Sequence, residues 1–322
     1  MRSPPCLASV SLDTASGRRA ADGKISRIGA LCAITCSDAN FIGFRQGLRE
    51  LGYVESKNLI IEEKSAEGHY DRLPELAAEL VRLQVEVILV SGGTEPVLAA
   101  KSATRTIPIV IVVAADPVGA GLVASLSRPG GNITGLTSMN EELDAKRLEL
   151  LKEVIPSLTR VAVFSNPADP NASSLSTVAE RTARSLGLQL QLIPVRSGAD
   201  LAAAFSTATR LGADAGTLLG APMFFSYQAR LAELAAEHRL PLIIPWKQFP
   251  EAGGLMSYGA NIPDLHRRAA VDVDKILKGV KPGDLPIAQP TEFDFVINLK
   301  TAKALGLTIP QSLVVRANEV IQ

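Results

Sequence analysis

The feature that most constrains this chain is a repeated switch of period: a short β-branched run, a polar turn, then a helical stretch. Its sharpest instance is residues 85–96, VEVILVSGGTEP. Val85, Val87, Ile88, Leu89 and Val90 make the continuous apolar run of a strand buried on both faces of a parallel sheet. The run breaks at Ser91-Gly92-Gly93-Thr94, and a helical pattern follows over residues 95–104. A strand that feeds a glycine-rich turn and a helix leaves backbone N–H groups at the carboxyl edge of the sheet, where open α/β folds bind ligands. Ser91, Gly93 and Thr94 therefore read in two ways. They form a cradle for a carboxylate or other small anion, or the glycines only turn the chain and Thr94 only caps the helix.

The same switch recurs along the chain. Strands are expected at residues 27–33, 59–63, 85–90 and 109–113, with helices at 41–51, 71–83 and 95–104. A Pro-Gly-Gly turn then precedes a very short strand at 133–136. The alternation restarts with helices at 141–154, 173–186, 200–211 and 225–238, and strands at 161–164, 189–194, 215–219 and 241–244. A second glycine-rich joint at 251–259 carries the short strand 255–258. A helix at 262–278, a Pro/Gly linker at 279–290, a strand at 293–298 and a helix at 299–305 complete the pattern. Strand–helix alternation predicts parallel, doubly wound sheets. A length of 322 residues exceeds what one core serves, so two α/β units are expected.

Composition excludes several function classes. Aromatic residues are only 4% of the chain, too few for a base-stacking surface. Lys+Arg and Asp+Glu balance at 33 each, so no net field points to nucleic acid or an anionic membrane. No apolar run approaches the roughly 18–20 residues that cross a bilayer. Residues 1–25 are small and polar and read as a disordered segment, without the basic start and apolar stretch of a secretory signal.

No nucleotide loop, GxGxxG or GxSxG is present, and no nucleophile sits beside a base. No catalytic residue, metal site or cofactor is expected. His69, His238 and His266 stand far apart in polar contexts and read as surface residues. Cys6, Cys32 and Cys36 are too few for a disulfide framework, and the latter two read as plain thiols near the end of the first strand. What recurs is a polar residue, often with Pro, just past a strand: Ser91–Thr94, Asp116-Pro117, Asn166-Pro167 and the Ala221-Pro222 turn. These are routine βα turns, or they line one crevice. In the second reading Asp116 receives an ammonium, the SGGT turn a carboxylate and Asn166 a polar group, while Tyr258 stacks on or hydrogen-bonds the ligand.

GFRQGLRELGY (43–53), RPGGNITGLT (128–137), EAGGLMSYG (251–259) and NLKTAKALGLTIP (298–310) occur in that order. With the stretches between them, they resemble the ABC-transporter substrate-binding family whose members take up tryptophan or tyrosine. The resemblance runs from about residue 26 to the end. It implies a class I periplasmic binding protein fold: two Rossmann-like lobes joined by a three-crossing hinge. Residues 26–136 and 258–285 would form lobe one, and 137–257 and 286–322 lobe two. It further implies a monomeric receptor for a small amino acid-like ligand that serves an ABC permease, periplasmic or lipid-anchored outside the inner membrane. The absence of a recognisable signal keeps a cytosolic small-molecule sensor as the alternative, ahead of a two-domain α/β enzyme.

Overall fold

A computed structural model describes residues 24–220 and 222–322; nearly all of the expected disordered segment, Cys6 and Ala221 lie outside them. The chain opens with β1 (Ser26–Cys32), α1 (Ala39–Glu50), β2 (Leu59–Ser65), α2 (Leu73–Arg82), β3 (Val87–Ser91), α3 (Thr94–Ala103), β4 (Ile109–Ala114) and β5 (Ile133–Thr137). The strands form one sheet in the order β2-β1-β3-β4-β5, every pair parallel. The apolar runs occupy its centre, and the edge strand β2 carries Glu62, Glu63 and Lys64. Charge on an edge strand discourages pairing with another chain.

The second unit runs through α4 (Asn140–Val154), β6 (Arg160–Ser165), α5 (Ala172–Ser185), β7 (Gln189–Pro194), α6 (Leu201–Arg210), β8 (Ala215–Leu218), α7 (Gln228–Glu237), β9 (Leu242–Ile244) and α8 (Gln248–Glu251). It ends with β10 (Met256–Ala260), α9 (Ile262–Leu277), β11 (Phe293–Asn298), α10 (Leu299–Leu305), α11 (Gln311–Arg316) and β12 (Glu319–Ile321). Its seven strands are ordered β12-β11-β10-β9-β8-β6-β7. The α/β fold with two lobes is thus the class I periplasmic binding protein fold. One pair departs from the expected parallel pattern: β11 lies antiparallel to β10. The chain leaves the second lobe after β10 and re-enters it with the opposite direction.

That excursion decides where α9 sits. It belongs to lobe one, against α1, where Phe41, Phe44 and Leu48 meet Ala269, Ala270 and Val273 in one buried cluster. The helices approach closely because α1 carries Gly43 and Gly47 at the contact. A Cβ at Gly47 would stand 2.3 Å from the Arg267 carbonyl oxygen. Leu73, Leu76, Leu80 and Val97 of α2 and α3 cover the other face of the sheet.

The chain passes between the lobes three times: after β5, between β10 and α9, and before β11. The second passage lies at residues 260–262, just beyond the expected boundary at 258, because β10 stays in the second sheet through Ala260. The third lies beyond 288. Ala288 donates its N–H to Gly135 and accepts one from Thr137, which holds it to lobe one.

Candidate functional site

The carboxyl ends of both sheets face one cavity of about 950 Å³, its open mouth included. Lobe one contributes the loop after β1 (Ala33, Ile34, Thr35, Asp38), Asn40 at the start of α1, the SGGT turn after β3 and the end of β4. Lobe two contributes Asp169 and Asn171 after β6, Gly220, Pro222 and Phe225 after β8, and Pro245 and Trp246 after β9. Asn140, Leu143 and Arg147 of α4 add a helical face at spacings of three and four. His266 and Ile262 of α9 complete the wall.

The SGGT turn is built for close approach. Gly92 and Gly93 both have positive φ, 103° and 100°, a region closed to most side chains. A Cβ on Gly93 would lie 2.7 Å from Cγ of Pro222 in the opposite lobe. Thr94 caps nothing. Its buried Oγ1 accepts a hydrogen bond from Asn171 Nδ2 at 2.8 Å, across the cleft. The Ser91 hydroxyl meets His266 Nε2 at 2.9 Å, and His266 Nδ1 is 2.9 Å from the Ile262 carbonyl. A carbonyl accepts only, so Nδ1 carries the proton, and the neutral ring takes the Ser91 proton on Nε2. Burial lowers the His266 pKa and favours that neutral form. Ser91 therefore presents oxygen lone pairs to the cavity, and a carboxylate would have to rely on backbone donors of the turn. The expectation of three surface histidines fails at His266, which is 2% exposed. Its place was set by α9 returning to lobe one.

Three of the expected site residues lie elsewhere. Asp116 is absent from the cavity wall, and its Oδ1 accepts the Gly119 N–H at 2.8 Å, closing its own turn. Asn166 does likewise, accepting the Ala168 N–H at 3.0 Å. Tyr258 stacks on Phe293 at 6.2 Å and meets Phe295 edge-on at 5.8 Å, so its ring packs between the two cores.

Other residues line the cavity, with little signal of them in the sequence. Asp169 lines the cavity with its Oδ1 held by the Asn171 N–H at 2.8 Å, and burial raises its pKa. Among the described residues no cation stands in an ion pair with it. Glu95, one residue past Thr94 on the facing lobe, is pushed up to about 7 by burial and then by the Asp169 charge. Phe225 and Trp246 meet edge to face, with centroids 5.5 Å apart. Both lie in βα loops after unremarkable strands, where sequence alone does not distinguish wall from surface. Arg147 is fully buried; it donates to the Tyr258 carbonyl at 2.7 Å and pairs with Asp144. It ties α4 to β10 beside two of the crossings.

Cys32 and Cys36 are not thiols but a disulfide, with Cα atoms 5.6 Å apart. A count of cysteines misses it because a single short bridge needs no framework. Cys32 ends β1, and the bridge braces the loop that brings Ile34 and Thr35 to the cavity. Among the described residues there is no cluster of three or more His, Cys, Asp or Glu able to hold a metal, and no helix is long and apolar enough to cross a membrane.

Known proteins resemble this chain in sequence and in fold. A tyrosine-binding protein of Clostridioides difficile is 27% identical over 274 residues, 82% of this chain and 76% of that protein. A conserved domain protein from Vibrio cholerae superposes with a TM-score of 0.86 at 30% identity, covering 92% of this chain and all of the other. An ABC domain from Streptococcus pneumonia, solved in complex with L-Trp, gives the same TM-score at 26% identity and the same coverage of each chain. Residues 33–321 match the family described as ABC transporter substrate binding protein, and the chain belongs to that family of binding proteins.

Proposed function

We propose that this protein is the solute receptor of an ABC importer and captures an aromatic amino acid, or a close relative of one, between its lobes. The observation that carries the reading is the make-up of the cavity. An aromatic pair, Phe225 and Trp246, shares it with a carboxylate, Asp169, and with the N–H groups of the SGGT turn. An amino acid offers one group to each: a ring, an ammonium and a carboxylate. The names of the tyrosine-binding and L-Trp-bound relatives support that class. Asp169 takes the role that the sequence assigned to Asp116. The backbone N–H groups of the turn from Ser91 through Gly93 to Thr94 stay at the carboxylate end, while the Ser91 and Thr94 hydroxyls bond His266 and Asn171.

Capture is by hinge closure. The crossings are few and short, and Met139, just after β5, sits in the left-handed region at φ 52°. Such a residue at a crossing absorbs backbone rotation between lobes. The closed, loaded monomer is what a membrane permease would receive. The protein works outside the cytoplasm, periplasmic or lipid-anchored, a reading supported by the Cys32–Cys36 bridge, which persists in oxidising compartments.

Calorimetric titration and melting curves with L-tryptophan, L-tyrosine and L-leucine test the ligand class. A ligand at 100 times its Kd adds about 2.7 kcal/mol to stability, a clear rise in Tm. Tryptophan or tyrosine should give it and leucine should not. Solution scattering at saturation should show a smaller radius of gyration. No response to any aromatic amino acid would remove the proposed ligand class.

A further inference from the structure

We propose that Thr94 and Asn171 form the clasp that holds the two lobes together, and that Gly93 is glycine to let the clasp close. The inference deepens the closure reading above and rests on it.

Both residues break a local rule. Asn171 is the N-cap of α5, where an Asn side chain ordinarily accepts from the first turn of its own helix. It makes no such bond. Thr94 is the first residue of α3, behind a glycine cap that has no side chain to offer. Neither side chain caps its own helix start; instead the two bond each other from opposite lobes, Nδ2 to Oγ1 at 2.8 Å. Only 3% of Thr94 and 7% of Asn171 is exposed. A buried polar pair of this kind is satisfied only while the lobes are together; on opening, both groups return to water. Forgoing local satisfaction for a long-range partner is what a functional contact looks like against otherwise consistent local structure.

The neighbours serve the contact. Asp169 Oδ1 accepts the Asn171 N–H at 2.8 Å and lies 3.3 Å from Asn171 Nδ2, which orients the amide toward Thr94. Beside the pair, Cγ of Pro222 in lobe two lies 2.7 Å from where a Cβ of residue 93 would be. Ligand and clasp thus share one edge of the cavity. A group bound by Asp169 stiffens the loop that positions Asn171, so occupancy and closure reinforce each other.

The test is a double-mutant cycle on release of L-tyrosine, followed by stopped-flow emission of Trp246, the single tryptophan of the chain. Thr94→Val and Asn171→Ala should each speed release by roughly three- to tenfold, the range for one hydrogen bond. The double variant should be no faster than the worse single within about twofold. Fully additive effects, or single variants that release at the native rate, would overturn the clasp. A second arm needs no ligand. Cysteines placed at both positions, Thr94→Cys with Asn171→Cys, should cross-link under mild oxidation, and the peptide pair is read by mass apart from the native Cys32–Cys36 bridge. Failure to cross-link both by direct oxidation and through a short bifunctional thiol reagent, with or without amino acid, also overturns it. If the native protein binds neither tyrosine nor tryptophan, the ligand reading falls, and the cross-link still decides the clasp.

Discussion

Two turns in lobe one look alike in sequence and end differently in space. Ser91–Thr94 and Asp116–Gly119 both follow apolar strands of the same parallel sheet, and both place a polar side chain next to residues that stop a strand. In the first, no side chain closes the turn locally: Ser91 reaches His266 and Thr94 reaches Asn171. In the second, Asp116 folds back onto the Gly119 N–H and is used up. Asn166 repeats that outcome in lobe two. A polar residue at a strand end becomes part of a cleft only when its own turn does not consume it. Asp-Pro-Val-Gly carries the local signal of such consumption, an Asp at the first turn position and Gly at the fourth.

The largest effect that separates the two turns should come from their glycines. Gly93→Ala adds a Cβ at φ 100° against Pro222. Strain of about 1–3 kcal/mol that falls mainly on the closed state predicts a loss of affinity of roughly 10- to 100-fold by calorimetry. Gly119→Ala, whose added Cβ meets the Asp116 carboxylate of its own turn, should lower Tm and leave affinity within about twofold. Equal losses of affinity in both variants would dissolve the comparison.

The acids come next. Asp169→Asn should weaken amino acid binding by roughly tenfold to a hundredfold, since a charge-assisted hydrogen bond contributes about 1.5–3 kcal/mol. Asp116→Asn should change stability and leave titration curves as they are. The opposite ranking would restore Asp116 as the ammonium site.

A smaller effect is expected at the brace. Replacing Cys32 and Cys36 together by Ser should lower unfolding free energy by about 1–2 kcal/mol, because the bridged loop is short. Affinity should fall by no more than about fivefold, since backbone bonds from Ala33 to Ser91 and from Ala66 to Cys32 hold the same loop. Denaturant melts and titrations of the variant read both numbers.

The last effect falls on stability rather than affinity and concerns pH. Glu95 has its folded pKa raised from an ordinary 4.5 to about 7. Its contribution to stability is full below about 4.5 and is lost as pH rises through about 7. Asp169, raised in the same direction, adds to the slope. Buried His266, with its pKa lowered, works against it. Glu95→Gln isolates the effect: Tm of the native protein should fall more between pH 4.5 and 7 than Tm of the variant, and parallel curves would remove Glu95 as a source.

The residues missed in the cavity share a cause. Asp169 follows Asn166-Pro167 by only a few positions, and the sequence offers both as loop polar groups. The choice between them depends on which side chain the local turn consumes. Phe225 and Trp246 become part of the cavity wall only because the turns after β8 and β9 end at the same edge as the SGGT turn. Tyr258, inside the glycine-rich joint at 251–259, looks free to reach a ligand, yet Phe293 and Phe295 arrive from 35 or more positions away and take its ring.

What the sequence determined by itself is whatever depends on neighbours along the chain. The alternation of strand and helix, the parallel central strands, the two units, the cleft edge at SGGT and the family follow from periods, turns and motifs. What only the tertiary structure decided depends on residues distant in sequence. The burial of His266, the antiparallel β11, the Cys32–Cys36 bridge, the presence of Asp169 rather than Asp116 in the cavity wall and the Thr94–Asn171 bond all belong there. The reason is physical. A local pattern fixes which face of an element is apolar. The partner of a buried polar group is fixed by desolvation, which penalises every arrangement that leaves it unpaired, and that partner is found only after the lobes have formed and met.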